Sequence, residues 1–455
     1  MVSTKGGTLY FGPGHYALSS ALVVSGYGIT LRGAGMHPPL TSGCGGSALV
    51  ALTSNSTLVC FLDCTACTLS HMALSHAATG HDEVALQAES EAERRQQCAA
   101  QARQAADALR RPTRHADGRT RAQPPLVQMV PRITPTSGSA VAVRRSFAVT
   151  LRNLWIESVF AHVAVSEMAN TITILDSQLI SAFGPCSVCA AGGIGPPVGL
   201  DSADFNRTRV DILQMARITT NNHAHANASC VWIDIGAGVN TVRLDNVGLI
   251  NGGTGVRLSS PQDSPAGESP GRPLFLLAND LEIDFPSGNA VELLEGEEVQ
   301  ISNGYIQGAG STVMVDRRAH DSSLGVGLLI GERFNSETMV VNTRIFGHAL
   351  SGVEIAGGAH ATLSNNVIGA NSIARPGLAS GVLVRAGVSD FILQGNHVGD
   401  VFSGQGSSGT RYGVEVERGS SDRYVISANT LVGNRAGGVL DGGTGKHTTV
   451  QGNVE

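Results

Sequence analysis

Four stretches of the C-terminal half share one pattern: Gly352-Val-Glu-Ile, Gly381-Val-Leu-Val, Gly413-Val-Glu-Val and Gly438-Val-Leu-Asp. Each is followed by a second apolar segment that ends in Asn: Leu363-Ser-Asn-Asn366, Leu393-Gln-Gly-Asn396, Ile426-Ser-Ala-Asn429 and Val450-Gln-Gly-Asn453. Short strands recurring roughly every 25 to 33 residues are the mark of a solenoid, because one such unit cannot bury its own apolar face and must stack on a copy.

The rest of the chain is compatible with that reading. Among 455 residues there are 57 glycines, aromatics make up 4% and charged residues 15%. Such a mixture favours short strands and tight turns. Lys5 and Lys446 are the only lysines, so arginine carries almost all positive charge. The net charge of −6 gives no electrostatic reason to expect nucleic acid. No run of apolar residues is long enough for a membrane span. The N-terminus lacks the apolar core of a signal peptide, and strand-like sequence begins at Thr8. Location therefore stays open on the sequence alone.

Two CxxC pairs, Cys64/Cys67 and Cys186/Cys189, have the spacing of zinc ligands. They belong to different repeats far apart in the chain. Buried thiols or local disulfides are the expectation.

Residues 5–36 read as three strands separated by glycine-rich turns. Gly6-Gly-Thr-Leu-Tyr-Phe-Gly-Pro-Gly-His-Tyr16 followed by Leu31-Arg-Gly-Ala-Gly35 resembles the opening of the pectate-lyase-like superfamily. The resemblance implies an all-β, right-handed parallel β-helix, here of roughly ten to thirteen rungs with one helical insertion. Composition divides the chain into N-terminal rungs over 1–79, an insertion rich in Ala, Glu, Gln and Arg over 80–125, and a main solenoid over 126–455 with a long loop at 181–230. Within the insertion Asp82 caps, and Pro112 stops, a predicted helix.

Rungs of a β-helix lie roughly 4.8 Å apart, and side chains alternate inward and outward along each strand. Aligning the first apolar residue of each leading strand gives one inward column: Val141, Val163, Ile233, Val256, Val291, Val326, Val353, Val382, Val414 and Val439. The Asn residues that close the second strands (Asn366, Asn396, Asn429, Asn453) are predicted to form a structural ladder at a turn. The outward neighbours of the column, from Ile233 on, are Asp234, Arg257, Glu292, Gly327, Glu354, Leu383, Glu415 and Leu440. This alignment makes Asp234, Arg257 and Glu292 successive neighbours. Carboxylates one rung apart suit retaining glycoside cleavage, and those two rungs apart fall at or just past the inverting range. Asp201, Asp204 and His223, with His225 two residues further on, form a second polar concentration in the 181–230 loop, where a regular scaffold leaves room for a site. The candidate set is Asp201, Asp204, His223, Asp234, Arg257 and Glu292.

The resemblance implies a polysaccharide partner. Lyases of the superfamily use an Arg or Lys base with carboxylate-bound calcium, so calcium is the expected ion if the chain is a lyase; otherwise no cofactor is expected. Hydrolases use clustered carboxylates. The Asp-Pro-His-Asp motif of the epimerases is absent, as is the Asn-Thr-Asp set of polygalacturonases, and only Trp155 and Trp232 are tryptophans. Two readings stand side by side: an extracellular β-helix that binds or cleaves polysaccharide, and a non-enzymatic structural or adhesive β-helix on a virus or phage particle, for which a homotrimer is the expected assembly.

Overall fold

Alternating Val-x-Val segments of the described residues stack in parallel register. The computed structural model describes residues 6–35, 46–52, 57–76, 139–159, 161–166, 169–182, 186–190, 210–221, 229–234, 239–259, 275–310, 325–334, 336–357, 360–399 and 409–455. All regular elements among them are strands, and every pairing between them is parallel. The predicted helical insertion falls outside the described residues.

Each rung contributes to three sheets that wrap one apolar core. In the first sheet the inward column runs Leu22, Val59, Val141, Val163, Val188, Val231, Val256, Val291, Leu328, Val353, Val382, Val414, Val439. The second sheet carries a column from Leu31 through Leu69, Leu151 and Ile174 to Leu393 and Ile426. The third carries one from Leu49 through Ile156, Leu179 and Leu249 to Ile368 and Val398. Nearly all of these side chains are buried. Each buried aliphatic stabilises the solenoid by roughly 1.5–3 kcal/mol relative to an exposed one, which offsets the conformational cost of many short strands.

The first-sheet column differs from the sequence alignment at two rungs. Val231, not Ile233, lies beside Val256, and Leu328, not Val326, lies beside Val291. Both errors are slips of two residues, which preserve the inward or outward sense of every side chain. The stretch 181–230, read as a loop, also supplies a rung of its own: the strands Cys186–Ala190 and Val210–Asn221 sit in the first and second-to-third sheets.

The bend between the second and third sheets explains the recurring Asn. The residue at the bend adopts a left-handed backbone in rung after rung, with φ between 50° and 56° at Asp176, Asn246, Asp280, Asn303, Asn342 and Asn365, a conformation that Asn and Asp tolerate best after Gly. The next residue points inward. There Asn366 Nδ2 donates to Asn396 Oδ1 at 3.0 Å, Asn396 Nδ2 to Asn429 Oδ1 at 3.1 Å, and Asn429 Nδ2 to Asn453 Oδ1 at 2.9 Å. Each Oδ1 also accepts the backbone N–H of the Asn before it in the stack. Thr343 Oγ1 and Ser177 Oγ do the same for Gly304 and Leu154 on earlier rungs. The Asn ladder therefore satisfies polar backbone groups that the turn would otherwise bury without partners.

The glycine that opens each repeat has an equally local cause. Between the third and first sheets the rungs come close together. A Cβ on Gly352 would lie 3.0 Å from the Gly381 carbonyl oxygen, one on Gly381 2.8 Å from that of Gly413, and one on Gly413 2.9 Å from that of Gly438. The repeat of Gly is thus a stack of backbone contacts.

Candidate functional site

Outward positions of the first sheet form the face on which the sequence placed its charged column. In register they are Cys60, Ala142, Ala164, Cys189, Trp232, Arg257, Glu292, Leu329, Glu354, Leu383, Glu415 and Leu440. Small side chains occupy the early rungs, and from Glu292 onward glutamates alternate with leucines.

The structure brings Arg257 and Glu292 together as register partners, with Arg257 Nε 3.6 Å from Glu292 Oε2. Asp234 does not join them. Its backbone pairs with Ser259, so it sits one outward step further along the strand, and its side chain lies outside what the structure describes. Gly327 likewise leaves the column in favour of Leu329. Asp201, Asp204 and His223 lie outside the described residues, as does His225.

Three neighbours of Arg257 and Glu292 were missed by the sequence alignment. Trp232 takes the position assigned to Asp234, directly beside Arg257. Ser259 Oγ accepts from Trp232 Nε1 at 2.9 Å and from Arg257 Nε at 3.3 Å. Asn289 Nδ2 donates to Glu292 Oε1 at 3.0 Å, while its Oδ1 accepts from the backbone of Gly325 and Val326 at 3.0 and 2.8 Å. Glu292 is thereby tied to the next rung, and the indole and guanidinium share one hydroxyl. The only sequence signal for Ser259 and Trp232 was their outward parity on adjacent strands.

Further along the face, every described glutamate has an arginine beside it. Arg385 reaches Glu354 at 2.8 Å and Glu417 at 2.7 Å, and Arg411 reaches Glu415 at 3.3 Å. Ser380 also donates to Glu415. Glu292, Glu354 and Glu415 lie two rungs apart in succession, separated by Leu329 and Leu383.

The two CxxC pairs differ in state. Cys186 and Cys189 form a disulfide within one strand. Cys64 and Cys67 are buried thiols, with Cys64 Sγ 3.0 Å from the Val24 carbonyl oxygen. Burial, and then the neighbouring Cys67, pushes the Cys64 thiol up to about 12. Among the described residues no group of three or more His, Cys, Asp or Glu converges as a metal site.

With this geometry in view, the chain can be set beside known proteins. The family model of the right handed beta helix region matches residues 276–454, where the repeat is most regular. The chain is a right-handed parallel β-helix. No curated protein matches it in sequence. Similar solved structures include the A-module of the mannuronan C-5 epimerase AlgE6 of Azotobacter vinelandii, at 12% identity over 99% of this chain and 90% of that one, with a TM-score of 0.44. Tailspike protein 3 of bacteriophage CBA120 is 9% identical over 98% of this chain and 54% of that one, at a TM-score of 0.49. PfbA, a surface adhesin of Streptococcus pneumoniae, is 10% identical over 98% and 82%, at 0.43. None of these likenesses transfers a residue role, so each face has to be judged on its own chemistry.

Proposed function

We propose that this β-helix binds an extracellular polysaccharide along the outward face of its first sheet, with Trp232, Arg257 and Glu292 at the centre of the site. The observation that carries this reading is the register of Trp232 beside Arg257. An indole offers an apolar face for a sugar ring, and a guanidinium and carboxylate one rung away offer donors and acceptors for its hydroxyls. Ser259 and Asn289 hold these three groups in place, which lowers the ordering cost of binding.

Binding is favoured over cleavage on this face. Glycoside cleavage needs two carboxyl groups in different states, one kept as a proton donor. The described carboxylates here are each committed to an arginine.

The test uses the two tryptophans. With Trp155→Phe in the background, fluorescence reports on Trp232 alone. Titration with polygalacturonate, alginate, xylan and mixed-linkage glucan is expected to shift that emission for at least one polymer. Trp232→Ala is expected to weaken binding of the same polymer by at least about tenfold, or some 1.4 kcal/mol. A reducing-end assay on the bound polymer separates binding from cleavage. Full affinity in the Trp232→Ala protein would remove this face as the site.

A further inference from the structure

The two tryptophans lie on different faces. Trp155 points outward from the third sheet, where its Nε1 donates to Glu157 Oε2 at 2.8 Å. The same outward column continues through Gln178, Thr219, Gly248, Glu282, Tyr305 and Arg344. Beside it run Asp284, Gln307 and Phe346. Between these rungs the surface opens into a groove of about 450 Å³, lined by Asn246, Asp280, Glu282, Asn303, Tyr305 and Gln307 among others.

We propose that this groove is a second saccharide site, separate from the first-sheet face and selective for sugars without negative charge. Three features support it. The first is space: Gly248 has no side chain, and a Cβ placed there would meet nothing closer than 3.9 Å, with Glu282 Oε2 among its nearest atoms. A ligand can therefore lie over the Gly248 rung and touch the Glu282 carboxyl.

The second is a wall fixed in advance. The Tyr305 ring packs edge-on against Phe346 at 5.0 Å between centroids, and Arg344 lies 5.9 Å from both rings. The Tyr305 hydroxyl donates to Gln307 Oε1 at 3.4 Å, and Gln307 Nε2 donates to Asp284 Oδ1 at 2.7 Å. A phenol, an amide and a carboxyl held in one chain present donors and acceptors in set directions, as recognition of neighbouring hydroxyls requires.

The third is charge. Asp280 and Glu282 line the groove and Asp284 adjoins it, while the lining contains no cation. An anionic sugar would meet the carboxylates of Asp280 and Glu282 in the lining. The Glu282 side chain reaches solvent, yet partial burial of its carboxyl, followed by the charge and hydrogen bonding of Asp284, raises its pKa.

The experiment uses the full chain carrying Trp232→Ala, so that the first-sheet face is silent. Calorimetric titration is made with cellohexaose, laminarihexaose, maltohexaose and mannohexaose, and with hexagalacturonate as the anionic probe. At least one neutral hexasaccharide is expected to bind, and hexagalacturonate is not. Gly248→Val places methyl groups beside the Glu282 carboxyl at the edge of the groove and is expected to abolish binding with thermal stability retained. Glu282→Gln, which keeps the shape, is expected to weaken it about tenfold or more. The proposal is overturned if no neutral hexasaccharide binds, if Gly248→Val binds as well as its parent, or if hexagalacturonate binds in a manner that Gly248→Val blocks. Failure of the first-sheet reading shows separately, as unchanged polymer binding after Trp232→Ala.

Discussion

Trp232 and Arg257 face outward from adjacent rungs as register partners, and both donate to the one hydroxyl of Ser259. That shared acceptor makes Ser259 the positioning residue of the face. Ser259→Ala leaves both donors to find water. On the proposed reading it is expected to lower polysaccharide affinity roughly three- to tenfold, about 1 kcal/mol for a lost hydrogen bond, with the melting temperature nearly unchanged. An affinity equal to the parent protein would show that the indole needs no such support.

The Asn ladder makes a stability prediction. Asn396 accepts two hydrogen bonds from Asn366 and donates to the Leu363 carbonyl and to Asn429, all in the core. Asn396→Ala leaves buried donors and an acceptor unpaired at once. A loss of about 2–4 kcal/mol is expected in urea unfolding. A much smaller change would mean that water enters the turn and replaces the amide.

Two buried histidines predict acid sensitivity. Burial lowers the pKa of His162 to about 4, against which its contact with the Ile180 carbonyl works only in part, and lowers that of His348 to about 3. Both folded values lie below the unfolded value of about 6.5. Above that pH neither state binds a proton and stability is complete. Below it the unfolded chain takes up protons that the folded chain refuses, so stability falls as pH drops from 6.5 towards 4. For His162 alone the loss at pH 4 is on the order of 3 kcal/mol. Urea midpoints measured from pH 7 to 4.5 are expected to decline, and His162→Gln to flatten the decline. Equal midpoints across that range would contradict the assignment of both histidines as neutral core groups.

The thiols offer a chemical readout. A Cys64 pKa pushed up to about 12 leaves almost no thiolate at pH 8. Iodoacetamide is expected to leave Cys64 unmodified in the native protein and to alkylate it after unfolding, as read by peptide mass mapping. Rapid native labelling would place that thiol at the surface.

Much of the architecture was legible because its causes are local. Val353, Val382 and Val414 alternate with outward residues and stack as predicted. Asn366, Asn396 and Asn429 recur because the inward turn position must satisfy backbone groups in every rung. Glu292, Glu354 and Glu415 stand two rungs apart, as the alignment had it. The candidate site was legible only in part. Arg257 and Glu292 meet, but Asp234 was placed beside Arg257 where Trp232 stands, and the rung through Val188 went unseen because its short strand lies within glycine- and proline-rich sequence.

The sequence by itself determined the class of fold, the inward columns and the ladder, since period-two alternation and turn chemistry are written in neighbouring residues. Only the tertiary structure decided which outward residues face one another. A slip of two residues keeps every side chain on its proper face, so the pattern cannot detect it, and the number of residues in each connecting turn is fixed by how the rungs close on one another. The same holds for the third-sheet groove: Gly248, Glu282 and Tyr305 are unremarkable apart, and become a site only when three rungs are laid side by side.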